Sequence, residues 1–143
     1  MKVSTRGRYA IKVMIDLAEH DNGDFIPLSD IAKRQEISEK YLEAIVSMLS
    51  KAGFLQSLRG KGGGYKLSRQ SDEYTVREVL EVTEGSLAPV PDEDMTSLGN
   101  PHASAFCTAE MWKGLYDVMV KYLDSVSIKD LAGEDSGQYD FVI

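Results

Sequence analysis

The sequence predicts a mainly α-helical fold with one small β-hairpin, and three observations lead to this prediction. Apolar side chains recur at helical spacing through most of the first half and again in a long run after residue 104. One glycine-rich stretch, Arg59 to Gly64, separates two short runs that are typical of β-strands. With 143 residues, of which 43% are apolar, the chain can bury a core of ordinary size. We therefore expect one helical domain with a hairpin, joined to an accessory helical element.

Three helices are predicted before the hairpin. The first covers about residues 5–20, where apolar side chains recur at helical spacing and a run of Asp, Asn and Gly follows. A short helix follows Pro27 and ends near Gln35, and Ser38 can cap a third helix that ends near Lys51. Two helices joined by such a short turn are typical of a helix-turn-helix unit.

The hairpin makes this interpretation specific, because any two short amphipathic helices resemble a helix-turn-helix unit. Gly53 ends the third helix, and residues 54–58 and 65–67 predict two strands around the glycine loop. A recognition helix followed by a basic hairpin is the arrangement of a winged helix-turn-helix domain that binds DNA.

The charge of the chain divides between its two halves. The net charge is −7, but residues 1–70 carry 12 Lys and Arg against 8 Asp and Glu, whereas residues 71–143 carry 4 against 15. A basic half suits a polyanionic partner and an acidic half does not. We therefore expect a DNA-binding domain over 1–70, a helical dimerisation region over 71–132 with a loop at 86–104, and a flexible tail over 133–143.

Cysteine content and the N-terminus both indicate a cytoplasmic protein. The single cysteine, Cys107, excludes an intrachain disulfide framework. The first residues lack the apolar run of a signal peptide, and no stretch approaches the roughly 20 apolar residues of a membrane span.

The outward face of the third helix is expected to meet the DNA bases, with a solvated helix face as the alternative. Glu43 favours selectivity over affinity, because a carboxylate near phosphates is repelled unless it accepts a hydrogen bond from a donor such as cytosine N4. The outward side chains are Glu39, Lys40, Glu43, Ala44 and Ser47. Phosphate contacts, helped by unpaired amides of a helix N-terminus, are expected at Lys2, Arg6 and Arg8.

The tip of the hairpin suits the minor groove of DNA. Arg59 and Lys61 would enter the region of most negative potential, and Gly62, Gly63 and the neighbouring glycines would permit a close backbone approach. A nucleotide phosphate loop is an alternative, but it needs Ser or Thr after the lysine and a helix after that. An inert charged turn is a second alternative.

Three separate motifs resemble the IscR/CymR/NsrR family of bacterial winged-helix regulators, also called the Rrf-two family. They are the opening Val3–Ala10, the helix start Ser38–Glu43 and the wing Arg59–Leu67, and the match spans nearly the whole chain. The resemblance implies a homodimeric transcription factor, usually a repressor, whose wing arginine, here Arg59, enters the minor groove. It also implies major-groove contacts from Lys40, Tyr41, Glu43 and Ala44, and we expect their neighbour Ser38 to contact DNA with them.

The second half of the sequence supports a dimer independently. Thr75 and Glu78 form a capping box for a helix that closes at Gly85. The long helix after the loop carries an apolar stripe that is too wide and aromatic to leave in water. The stripe packs either on its own domain or across a two-fold axis, and we favour the second arrangement, which predicts a palindromic operator. The expected dimer contacts are Trp112, Leu115, Met119, Tyr122 and Leu123.

An iron–sulfur cluster is not expected, although many members of the family hold one on three cysteines in the loop before the dimer helix. This chain keeps only Cys107, and the matching upstream positions fall near Met95 and Pro101, which cannot supply a thiolate. Glu110 or His102 beside one thiolate would be a poor cluster site, so we expect no metal and no cofactor. A redox-sensing thiol at Cys107 stays open as an alternative.

The C-terminal tail resembles known enzyme-binding tails. It ends in an apolar tip with a free carboxylate, and we expect its partner contacts at Asp140, Phe141, Val142 and Ile143. The tip is similar to the tails of serine acetyltransferases, which insert into O-acetylserine sulfhydrylase. It is also similar to the tails of the CymR-type branch of the family, which acts in cysteine metabolism with that enzyme and lacks the cluster cysteines. Packing of the tail on its own dimer is the alternative.

These observations predict a dimeric winged-helix repressor of sulfur or cysteine metabolism, with double-stranded DNA and O-acetylserine sulfhydrylase as partners. A redox or iron–sulfur-responsive regulator is the alternative within the family. A protein-interaction adaptor that does not bind DNA is the alternative from another class. An enzyme is not expected, because His20 and His102 lie in breaker-rich segments and no catalytic or metal-spaced cluster appears.

Overall fold

Seven α-helices and one two-stranded hairpin form the described part of the chain in the computed structural model. That part comprises residues 2–96 and 103–133, without the side chains of residues 103–107. The helices and strands are, in chain order, α1 (Thr5–Glu19), α2 (Leu28–Gln35), α3 (Glu39–Lys51), β1 (Leu55–Leu58), β2 (Gly64–Leu67), α4 (Val76–Glu84), α5 (Asp92–Met95), α6 (Ala103–Asp124) and α7 (Ile128–Leu131). This mainly helical architecture with a hairpin wing and a long late helix confirms the predicted fold class.

The main core forms where α1, α2 and α3 bury their apolar faces against each other. Its fully buried side chains include Val13, Met14, Ile31, Leu42, Ile45, Val46 and Leu49. The turn between α2 and α3 is short because Glu36 adopts a left-handed conformation, with φ 55°, directly after α2. Ser38 then begins α3, and its hydroxyl accepts a hydrogen bond from the Tyr41 amide at 3.2 Å. The sequence pattern therefore produces the expected helix-turn-helix unit.

The hairpin is joined to the main core by backbone pairing of β2 with Ile26, which lies just before α2. Its strands pair antiparallel, with Leu55 opposite Leu67 and Leu58 opposite Gly64. Ile26 and Tyr65 exchange two backbone hydrogen bonds, with N···O distances of 2.8 and 2.9 Å. Because a Cβ at Gly64 would overlap the Ile26 carbonyl, the backbones at this crossing need a glycine.

A second, smaller core joins α4 to α6 and α7. Val76, Leu80 and Leu87 are buried there, and Tyr116 and Leu123 of α6 pack against them. The predicted capping box of α4 is present, since Thr75 and Glu78 each accept a hydrogen bond from the other's backbone amide. No helix in the described residues is long and apolar enough to cross a membrane.

The region predicted as a loop at 86–104 contains more helix than expected. Pro91 and three acidic side chains in the first turn favour the short helix α5, because carboxylates stabilise a helix N-terminus. Helix α6 also begins inside the predicted loop, at Ala103. Helix α7 was not predicted, and its capping box between Ser127 and Asp130 is the sequence signal that reveals it.

Candidate nucleic-acid interface

The outward face of α3 is polar and exposed. Leu42, Ile45 and Leu49 point into the core, so the opposite face of the same helix is left to solvent. The side chains exposed on that face include Glu39, Lys40, Tyr41, Glu43, Ala44 and Ser47. Every α3 residue that the sequence assigned to DNA is therefore accessible, as is the capping residue Ser38.

Tyr41 links the start of α3 to α1. Its ring meets the Tyr9 ring edge-on, with 5.5 Å between the centroids. The Lys12 ammonium lies 5.6 Å from the centroid of the same Tyr9 ring. Sequence reasoning missed Lys12, although its position one helical turn after Arg8 places both cations on one side of α1.

The N-terminus of α1 is held by a carboxylate from α4. The Glu84 Oε1 atom accepts hydrogen bonds from the Ser4 amide at 3.1 Å and from the Ser4 hydroxyl at 2.5 Å. The Ser4 hydroxyl in turn accepts from the Gly7 amide at 3.1 Å. Of the amides at this helix end, which were expected to help bind phosphate, the Gly7 amide is therefore already satisfied within the protein. Lys2, Arg6 and Arg8 are exposed around this helix end.

Arg59 and Lys61 occupy the exposed tip of the wing. The tip turn is closed by a hydrogen bond of 3.0 Å from the Gly63 amide to the Gly60 carbonyl. A Cβ at Gly63 would overlap the Leu58 carbonyl, so this glycine is needed by the hairpin itself. The close approach of Gly63 to DNA stays a prediction, and the hairpin gives this glycine a second, internal reason. Gly62 is exposed at the tip.

The cations of this surface are not neutralised by the protein. Within residues 2–96 and 103–133, ion pairs involve Arg34, Arg69, Arg77, Lys113 and His20. None of them involves the seven exposed cations Lys2, Arg6, Arg8, Lys12, Lys40, Arg59 and Lys61. These seven positive charges are therefore free to meet an external anion, and all of them lie in the basic half of the chain.

A buried ion pair fixes α2 against α1. Asp16 is fully buried, and its carboxylate accepts hydrogen bonds from Arg34 Nη2 at 2.8 Å and Arg34 Nε at 3.0 Å. Gln35 Nε2 donates a third hydrogen bond at 2.9 Å. The bond to Asp16 raises the pKa of the Arg34 guanidinium above its ordinary value. Sequence reasoning missed this group, and its only signal is a carboxylate on the inward face of an amphipathic helix.

Helix α6 leaves an apolar stripe uncovered in the single chain. The large side chains on it are Met111 (53% exposed), Leu115 (43%), Val118 (67%) and Tyr122 (50%). Their spacing of four, three and four residues places them along one side of the helix. Leu115 and Tyr122 were assigned to the dimer contact by the sequence, and Trp112 and Met119 are half-buried. Leu123 instead packs partly against the smaller core of its own chain.

Two predicted features fall outside the described residues. The side chain of Cys107 is one, and the tail residues Asp140, Phe141, Val142 and Ile143 are the other. Among the residues that are described, no group of three or more His, Cys, Asp or Glu side chains could hold a metal ion.

Comparisons with known proteins give the fold a family. Residues 3–134 match the Rrf2 family model, described as an iron-dependent transcriptional regulator. The transcriptional regulator CymR of Bacillus subtilis is 36% identical over 141 residues, covering 96% of this chain and 94% of its own. The regulator IscR of Photorhabdus laumondii is 35% identical over 131 residues, covering 92% and 79%.

A solved structure agrees with these relatives. CymR of B. subtilis, described as its global cysteine regulator, superposes with a TM-score of 0.77 at 36% identity, covering 92% of this chain and 96% of that one. These relatives are transcriptional regulators and not enzymes. The chain belongs to the Rrf2 family of transcriptional regulators, the Rrf-two family that its three motifs resemble.

Proposed function

We propose that the protein is a homodimeric, sequence-specific DNA-binding repressor of cysteine or sulfur metabolism. The observation that carries the proposal is that Lys2, Arg6, Arg8, Lys12, Lys40, Arg59 and Lys61 are exposed and outside the ion pairs of the described residues, on the fold of a known regulator family. Phosphate contacts by Lys and Arg supply most of the affinity in such complexes.

Each part of this surface has its own task. The N-terminal part of α3 enters the major groove, where Lys40, Tyr41 and Glu43 reach base edges. Arg59 enters the adjacent minor groove, and Lys61 follows it with Gly62 and Gly63 at the tip. Cations of α1 contact phosphates on either side and fix the register of the protein on the duplex.

The apolar stripe of α6 forms the dimer contact. Met111, Leu115, Val118 and Tyr122 expose large apolar surfaces at coiled-coil spacing, and burying them against a second copy removes that surface from water. Trp112 and Met119 flank the contact. A two-fold axis along this contact supports recognition of a palindromic operator.

The metabolic role rests on the CymR relative and on the tail. That relative is described as a global cysteine regulator, and this chain matches it over nearly its full length. The tail residues Asp140 to Ile143 give the chain an apolar tip with a carboxylate, which suits the active site of O-acetylserine sulfhydrylase. Binding of that enzyme would report the supply of its substrate to the regulator.

Fluorescence anisotropy with labelled DNA tests the DNA-binding proposal. The wild type is expected to bind fragments from upstream of cysteine-metabolism genes more tightly than unrelated fragments of equal length. Arg59→Ala is expected to weaken specific binding by about tenfold or more, because a charge-assisted contact is lost. Lys113→Ala, which removes an exposed cation of α6, is the matched control and should bind as the wild type does. No DNA binding by the folded wild type would instead favour the adaptor.

Isothermal titration tests the enzyme partner separately. Purified O-acetylserine sulfhydrylase is expected to bind the full chain and not a chain truncated before Tyr139. Binding that survives truncation, or binding by neither chain, contradicts the role of the tail and leaves the DNA-binding proposal standing.

A redox or iron-responsive regulator is the second candidate, because the matching family model is described as iron-dependent. In that case Cys107 is the residue that responds. Iron and sulfide analysis of protein purified without oxygen, together with DNA binding by Cys107→Ala, distinguishes the two candidates. Stoichiometric iron, or altered binding by the variant after oxidation, favours this candidate.

A further inference from the structure

Tyr74 lies at the foot of the wing, with its side chain fully buried. Its hydroxyl donates a hydrogen bond to the Phe54 carbonyl at 2.7 Å, and Phe54 directly precedes β1. The same hydroxyl accepts hydrogen bonds from the Arg69 amide at 2.9 Å and the Ser68 amide at 3.0 Å, both directly after β2. One phenol oxygen therefore joins the entry and the exit of the hairpin.

The ring of Tyr74 holds the same two chain segments. It meets the Phe54 ring edge-on, with 5.6 Å between the centroids. The Arg69 guanidinium lies 4.5 Å from the centroid of the Tyr74 ring and 4.9 Å from that of Phe54. Arg69 also donates to the Glu73 carbonyl at 3.1 Å, so this arginine is engaged at the foot of the wing.

The backbone of Tyr74 is tied to the segment that follows α6. The Ile128 amide donates to the Tyr74 carbonyl at 3.0 Å, and the Val76 amide donates to the Val126 carbonyl at 2.9 Å. These two bonds pair Thr75 with Ser127 in an antiparallel bridge. Tyr74 therefore contacts both the foot of the wing, through its side chain, and the segment after α6, through its backbone.

The wing depends on such a support because it is short and only two-stranded. A hairpin of this kind is marginally stable alone. Besides the Tyr74 hydroxyl, its supports include the Ile26–Tyr65 backbone pair and two hydrogen bonds of Ser68 at the foot, from its amide to the Phe54 carbonyl at 3.3 Å and from its hydroxyl to the Gly53 carbonyl at 2.7 Å. Strands of four residues place the tip about 13 Å from the foot, so a tilt of about 10° moves the tip by roughly 2 Å. Such a displacement exceeds the tolerance of a hydrogen bond.

We propose that Tyr74 is a positioning residue of the wing: its hydroxyl sets the angle of the hairpin so that Arg59 reaches the minor groove. This inference rests on the proposed function of the wing in binding DNA.

Hydrogen exchange of the DNA-free protein tests the hydroxyl contact. Tyr74→Phe keeps the ring and removes the one oxygen that accepts from the Arg69 amide. That amide is expected to exchange about tenfold faster or more, as expected when a buried hydrogen bond is lost. Tyr116→Phe makes the same chemical change on α6 and should leave Arg69 exchange unaltered. Unchanged exchange at Arg69 in Tyr74→Phe overturns the inference without any reference to DNA.

A double-mutant comparison of DNA binding tests the positioning role. Tyr74→Phe is expected to weaken specific binding by about tenfold with Arg59 present and to have no further effect in Arg59→Ala. Measurements below the unfolding midpoint of every variant keep folding out of the comparison. Equal losses in both backgrounds, or no loss with Arg59 present, overturn the inference while the proposed function stands. Absence of DNA binding by the wild type overturns the proposed function, and the positioning role with it.

Discussion

At the scale of single residues, two carboxylates set how the helices of the domain meet. Asp16 is buried and holds Arg34 and Gln35 of the helix-turn-helix unit. Glu84 reaches from α4 to the capping serine of α1, and Gly7 allows this approach because a Cβ there would overlap the Glu84 carboxylate. Both carboxylates hold helices together beside the proposed DNA surface and are not part of that surface.

Replacing Asp16 tests the buried ion pair. Asp16→Ala is expected to lower the free energy of unfolding by about 2–3 kcal/mol, because Gln35 and the inner side of Arg34 lose their acceptor. Urea denaturation followed by circular dichroism measures the change. Asp24→Ala, at an exposed position, is the control and should stay within about 0.5 kcal/mol. Equal stability of the two variants would contradict the structural role of Asp16.

Replacing Glu43 tests base reading by α3. Glu43→Ala is expected to reduce the ratio of specific to non-specific affinity by about tenfold, while affinity for non-specific DNA changes little or rises. Competition titrations with operator and random duplexes measure this ratio, with the exposed Glu73→Ala as a charge-matched control. A uniform loss across all sequences would mean that Glu43 does not read bases.

At the scale of elements, the sequence predicted what depends on local chemistry. The helical periods of α1 and α3, the Ser38 cap and the Thr75 capping box each leave a signal within a few residues, and each is present. The features that the sequence did not predict depend on residues far away in the chain. Gly64 is required because the Ile26 backbone lies against it, and Asp16 is buried because Arg34 binds it. Such pairs cannot be read from the sequence, because their partners come together only when the helices pack.

Helix α6 carries the prediction that belongs to this scale. Leu115→Glu places a charge in the middle of the apolar stripe and is expected to shift the protein from dimer to monomer, since an unpaired charge is costly in an apolar contact. Leu115 is 43% exposed in the single chain, so the fold should survive. Multi-angle light scattering measures the mass. Lys113→Glu, roughly 200° around the helix from Leu115, is the control and should leave the mass unchanged.

At the scale of the whole molecule, the charge division predicts how the protein would lie on DNA under the proposed function. Residues 1–70 carry the seven cations assigned to the DNA surface, whereas residues 71–143 are strongly acidic. Because phosphates attract basic surfaces and repel acidic ones, we expect the acidic half to stay away from the duplex. That orientation would leave the acidic region free for the proposed second copy of the chain and protein partner.

Selection of bound sequences from random duplex DNA by the purified full-length protein tests the central claim most directly. We predict an enriched inverted repeat whose half-sites are centred about one helical turn apart, as two recognition helices related by a two-fold axis require. Arg59→Ala, selected in parallel, should enrich the same repeat more weakly. Failure of the wild type to enrich any sequence, or enrichment of a single unrepeated half-site, would contradict the account of a dimeric, sequence-specific regulator.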